Sequence, residues 1–107
     1  YKKLITSKKV KIIETKKNYK DANVMFVTLC EKRDELQKYL SKFSIQSLVY
    51  YKTPLHLQKV NKYLGYKKGD FPMAEKITKQ VLSFPHHQHL TNREISFVAK
   101  KINSFFK

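Results

Sequence analysis

The feature that most restricts the fold is the run Ala22 to Leu29, A-N-V-M-F-V-T-L, followed within a few residues by E-K-R-D-E-L-Q-K-Y-L-S-K-F. The first piece carries no charge and is rich in β-branched and aromatic residues, which predicts a strand inside a sheet. In the second, Leu36, Tyr39, Leu40 and Phe43 recur at helical spacing and form one apolar stripe. A strand that feeds an amphipathic helix needs a sheet for that stripe to cover, so the fold class is mixed α and β.

The rest of the chain extends this reading. Val10 to Ile13 predicts a short strand, and Ile45 to Tyr50, I-Q-S-L-V-Y, a further one that ends before Pro54. Leu57 to Leu64 fits a short helix closed by Gly65. The turn G-Y-K-K-G-D then offers Asp70 as a helix cap, with Phe71 and Pro72 in the first turn and Met73, Ile77 and Val81 with Leu82 as the buried face. The stretch L-S-F-P-H-H-Q-H-L-T reads as an irregular connector, extended through Leu82 to Phe84. In the last helix Thr91 and Glu94 form a capping box, Leu90 can staple onto Ile95, and Ile95, Val98, Ala99, Ile102 and Phe106 form the buried face. The expected architecture is α+β: a small antiparallel sheet with three or four helices packed on one face, one domain over residues 1–107. Residues 1–21 are mostly lysine, threonine and β-branched residues without helical periodicity. The chain opens on Tyr1 rather than methionine and reads as cut from a longer polypeptide.

With 23 Lys and Arg against 8 Asp and Glu, the formal charge is +15, which makes a small basic nucleic-acid-binding module the alternative reading. Its texture disfavours that reading. Arg33 and Arg93 are the only arginines, although bidentate recognition of phosphates and bases favours arginine, and the lysines are scattered over every segment. Cys30, the only cysteine, allows no intrachain disulfide and suits a reducing cytoplasm. The longest apolar run, Val24 to Cys30, falls far short of the roughly 20 residues that span a bilayer, so no membrane partner is expected.

The functional inventory is short. Gly65 and Gly69 are the only glycines, and neither forms a phosphate loop. His86, His87 and His89 lack zinc-ligand spacing, so no metal site is expected. Asp34 and Glu35 complement a helix dipole rather than forming an acid-base pair, and no catalytic residue stands out. What remains is V-Y-Y-K-T-P-L-H-L-Q, where Tyr50, Tyr51, Lys52 and His56 gather at a strand end and the following loop. Phenols and imidazole can hydrogen-bond sugar hydroxyls while their rings pack on the sugar's apolar faces, so this cluster is a candidate edge of a binding cleft.

Four blocks in fixed order resemble the C-terminal small domain of the DegT/DnrJ/StrS sugar aminotransferases. Phe26 to Leu40 is similar to the family's strand, R-D-E-L and amphipathic helix; Ile45 to Gln58 resembles its H-Y-P-x-P-L-H-x-Q stretch; and Phe71 to Pro85 resembles its P-x-A-E block ending in L-S-L-P. The L-T-N-R-E-I run with the closing helix completes the pattern over Ala22 to Lys107, while residues 1–21 match poorly. The resemblance implies a fold-type I homodimer that makes an amino sugar from a nucleotide-linked keto sugar, with glutamate as amino donor. It also implies that pyridoxal phosphate and its Schiff-base lysine belong to a preceding large domain, so that this chain holds no cofactor and is inactive alone, supplying a wall of the substrate cleft. Tyr50 and Tyr51 fall on the family's H-Y pair, which implies that they are substrate-binding residues that hydrogen-bond and pack on the sugar, with Lys52 and His56 as neighbouring substrate-binding candidates. Tyr50 stands where histidine is frequent, and Lys52 and Gln88 where proline is. A purely structural dimerisation piece is the third reading.

Overall fold

A computed structural model describes residues 1–107. Three strands, β1 (Val10–Ile12), β2 (Phe26–Cys30) and β3 (Val81–Phe84), form an antiparallel sheet in the order β1-β2-β3. Three helices, α1 (Arg33–Ser41), α2 (Pro72–Gln80) and α3 (Asn92–Phe105), accompany it, with two 3-10 turns at Leu55–Leu57 and Lys59–Leu64. The uncharged β2 is central, as its composition requires. Register pairs Thr28 with Ile12 on one side and with Leu82 on the other.

Strand alternation puts Phe26, Thr28 and Cys30 on one face with their partners Val10, Ile12, Leu82 and Phe84. Against that face pack Leu36 and Leu40 from α1 and Val98, Ala99 and Ile102 from α3, with Ile5 and Ile45 completing the cluster. Thr28 is a polar group in this interior. It is satisfied because its hydroxyl donates to the Leu82 carbonyl at 2.9 Å and lies 3.3 Å from Cys30 Sγ. Burial pushes the Cys30 thiol up, which keeps it inert. The buried Arg33 guanidinium donates to the Val81 carbonyl at 3.1 Å, and its Nε sits 2.7 Å from Asp34 without hydrogen-bond alignment.

Residues 1–21 contribute to this core rather than trailing from it. Tyr1 stacks on Phe26 at 4.9 Å and donates its hydroxyl to the Pro85 carbonyl at 2.9 Å; burial, assisted by the charge of Glu94, pushes its phenol up to about 12. Asn103 of α3 accepts from the Thr6 and Ser7 amides and donates to the Leu4 carbonyl, fixing the segment to the last helix.

Five local expectations are corrected. The strand begins at Phe26, not Ala22, because the Asp21 carboxylate accepts from the Asn23 amide and Asn23 takes a left-handed backbone, φ 52°, closing a turn that leaves Val24 exposed. Ile45 to Tyr50 is not a strand. Only Leu48 pairs, in an isolated bridge to Ser83, and the Gln37 side chain takes the Ser47 carbonyl at 2.7 Å. Leu82 to Phe84, read as part of a connector, belongs instead to a fully buried strand. Asp70 does not cap α2. Phe71 occupies the cap position, while the Asp70 carboxylate accepts from the Lys67 amide at 2.9 Å and closes the preceding turn. The reading of 57–64 as one short helix gives way to the two 3-10 turns, and Gly65, φ 74°, closes the second as expected.

The capping box of α3 is formed in both directions, Glu94 N to Thr91 Oγ1 at 3.2 Å and Thr91 N to Glu94 Oε2 at 2.8 Å. Hydrogen bonds from the Thr91 side chain and backbone, with the nearby His87 charge, hold the Glu94 carboxyl below its ordinary 4.5. A lowered folded value stabilises the fold above the unfolded pKa and is lost as pH falls through the folded one. Urea midpoints measured from about pH 7 down to about pH 3 will therefore fall less steeply below 4.5 in Glu94→Gln than in the parent chain. Leu40→Ala, which empties a fully buried site, will cost about 2–5 kcal/mol with an unchanged denaturant slope.

Candidate functional site

Past the Leu48 bridge the chain leaves the sheet, and residues 50–64 run over the surface between β3 and α2 in sequence-local turns. Tyr50 is 38% exposed and Tyr51 70% exposed, their rings meeting edge to face at 5.6 Å. They open onto different depressions. Tyr50 joins Met25, Leu48, Pro85 and His86 around about 300 Å³, whereas Tyr51 joins Pro54, His56, Phe71 and Ile77 around an apolar depression of about 490 Å³. Lys52 lies on the far side of Tyr51, in a third depression shared with Gln58 and Lys59. The four predicted residues thus stand along one ridge, with Tyr51 as the wall common to two hollows, and do not converge on one point.

His56 differs from the other three. Its side chain is only 7% exposed and its Nε2 lies 3.0 Å from Oε1 of Glu75, itself 13% exposed. A carboxylate only accepts, so the imidazole donates from Nε2. The same carboxylate oxygen accepts from the Gly69 amide at 2.7 Å. That backbone hydrogen bond, followed by the His56 hydrogen bond and charge, holds Glu75 below the usual carboxylate range. The Phe71 ring lies 4.9 Å from the imidazole and Tyr66 lies 5.1 Å from Phe71. His56 is therefore turned toward α2, with its polar edge already engaged, while Tyr51 presents a free phenol. Sequence reasoning gives Glu75 no role; the signal for it was a lone acidic residue one turn into a helix, across from a histidine in a loop.

Beside this ridge the surface is apolar to a degree the sequence reading did not anticipate. Met73 and Ile77, expected on a buried face of α2, are 66% and 39% exposed, and Leu55, Val60, Tyr63 and Phe71 are exposed as well. The amphipathic pattern is real, but nothing in residues 1–107 covers it. Within the histidine cluster, His86 turns away to donate to the Asn23 carbonyl at 2.9 Å, while His87 and His89 stay neighbours at 6.3 Å between ring centres and His89 meets Gln88. All lysines are exposed except Lys101, which is half-buried with its ammonium 3.6 Å from the centre of the Phe43 ring. No helix is long and apolar enough to cross a membrane. Chemically the ridge can hydrogen-bond hydroxyls and pack against flat apolar faces, while the imidazole of His56 is engaged by Glu75.

The DegT/DnrJ/EryC1/StrS aminotransferase family matches residues 1–103. A pleiotropic regulatory protein of Geobacillus stearothermophilus is 46% identical over 76 residues, which are 71% of this chain and 20% of that protein. A dTDP-3-amino-3,6-dideoxy-alpha-D-galactopyranose transaminase of Aneurinibacillus thermoaerophilus is 31% identical over 81 residues, 76% of this chain and 22% of that protein. Among solved structures, DesV of S. venezuelae in complex with a ketimine intermediate superposes with a TM-score of 0.85 at 27% identity, covering 90% of this chain and 26% of that one. The chain thus spans about a fifth of the length of the curated relatives it matches. An α+β fold built on a three-stranded antiparallel sheet, together with a family match over nearly all of its length, places the chain in the DegT/DnrJ/EryC1/StrS aminotransferase family.

Proposed function

We propose that this chain is the C-terminal small domain of a pyridoxal-phosphate-dependent aminotransferase that converts a nucleotide-linked keto sugar to an amino sugar, and that it supplies one wall of the substrate cleft. The observation that carries this reading is the position of Tyr50 and Tyr51. Both are exposed, on a ridge bordering the apolar surface of α2, where a phenol can meet a sugar hydroxyl once a second surface closes over the apolar residues. Transaminase relatives four to five times longer than the stretch matched here support a large domain as that second surface. Glutamate as amino donor, a homodimer of the complete protein and a cytoplasmic setting belong to the same proposal.

The residues present do not fit the cofactor. A Schiff-base lysine works from a desolvated position where its amine loses its proton readily. No lysine lines the apolar depression beside Tyr51, Lys52 is fully on the surface, and the half-buried Lys101 is spent on Phe43 and Phe97. We therefore place pyridoxal phosphate outside this chain, and its chemistry with the rest of the polypeptide.

Two measurements test the reading. Titrated with pyridoxal phosphate, the 107-residue chain will show no visible absorbance from cofactor bound at one equivalent, whereas a polypeptide carrying the preceding domain will; one equivalent bound covalently here would overturn the assignment. In the longer polypeptide, Tyr51→Phe will weaken nucleotide-sugar binding by roughly fivefold, the loss of one hydrogen bond worth about 1 kcal/mol, with little change in urea midpoint.

A further inference from the structure

From Tyr50 to Leu64 the backbone hydrogen bonds are local. Leu57 donates to Pro54, Gln58 to Leu55 and Asn61 to Gln58, and the Asn61 side chain donates to the Leu55 carbonyl. One hydrogen bond alone ties this segment to the rest of the protein, His56 Nε2 to Glu75 Oε1. Its setting gives it weight. The exposed Lys9–Glu31 pair, 55% and 53% exposed, is screened by water and contributes little. His56 and Glu75 are far less exposed, and the Phe71 ring covers the imidazole. Glu75 is also held by a second contact that does not involve His56, because the Gly69 amide donates to the same oxygen. An acceptor held in this way loses little freedom when it receives the imidazole.

We infer that Glu75 is a positioning residue: through His56 it clasps residues 50–64 onto α2 and thereby sets where Tyr50 and Tyr51 stand. The meaning of that placement for a sugar rests on the function proposed above; the clasp itself does not. Sequence gives a reason for economy here. Residues 50–64 pair with no strand, and their larger apolar side chains, Leu55, Val60 and Tyr63, point away from the core. With its contacts to α2 gathered around His56, the segment depends on a point attachment.

Nitrogen-15 relaxation on the 107-residue chain tests this. Backbone order parameters over residues 55–64 will lie near the rigid value of about 0.85 in the parent chain and fall below about 0.6 in both Glu75→Ala and His56→Phe. The β2 and β3 amides will stay rigid, and the double variant will be no looser than either single one. Glu75→Gln, which keeps an acceptor for Gly69 and His56, will retain most of the order and so separates loss of the clasp from damage to α2. A segment already loose in the parent chain, unchanged order in Glu75→Ala, or additive loosening in the double variant would each overturn the inference. In the longer polypeptide, His56→Phe will raise KM for the nucleotide sugar with a smaller effect on kcat. A loosened segment with unaltered KM would sink the cleft-wall reading and leave the clasp intact.

Discussion

The pairing of β2 with β3 is the constraint on which the rest of the structure depends. All four residues of β3 are buried, and the strand makes contacts along both edges, with β2 on one side and with Leu48 on the other. Thr28 ties the pair from within, since its hydroxyl donates to the carbonyl of Leu82 directly opposite it. A slip by one residue would separate that hydroxyl from its acceptor and turn Leu82 away from Leu36 and Leu40. Because α2 runs directly into β3, the register also fixes where α2 ends. The Leu48 bridge fixes where the tyrosine ridge departs, so both walls of the Tyr51 depression are hung from one strand.

This dependence explains why some of the fold was legible in the sequence. The stripe of α1 and the Thr91–Glu94 box are written in short-range patterns and sit where those patterns put them, while β2 is legible as a central strand but starts only at Phe26. Ile45 to Tyr50 misleads because β-propensity reports what fits a pleated surface, whereas pairing needs a free edge. Here Gln37 had taken the Ser47 carbonyl, and one bridge sufficed. Asp70 misleads in the opposite way: a short acidic side chain can close a turn as readily as cap a helix, and the turn won.

The candidate site divides along the same line. Periodicity identified Met73 and Ile77 as one apolar face, but a pattern says only that a face avoids water and not which surface removes it. Contiguous exposed apolar surface of this kind marks a contact site on a soluble protein. The exposure of Tyr50, Tyr51 and Lys52 fits a proline-bounded turn read from local sequence. Glu75 was not legible locally, because its partner His56 is nineteen residues away in the chain and the two meet only after α2 has folded back. A family resemblance carried by ordered blocks therefore pointed to the segment around Tyr50, and coordinates were needed to say what holds it.

The central claim is that the tyrosine ridge and the apolar face of α2 are one surface, shaped to be closed over by the remainder of a longer polypeptide. Hydroxyl-radical footprinting of Tyr51, Tyr63 and Met73, read by mass spectrometry in the 107-residue chain and in the polypeptide that includes the preceding domain, tests it most directly. The account predicts strong labelling of all three in the short chain and protection of Met73 and Tyr63 in the long one, with Tyr51 protected only when nucleotide sugar is added. Equal labelling of Met73 and Tyr63 in the two proteins would contradict it.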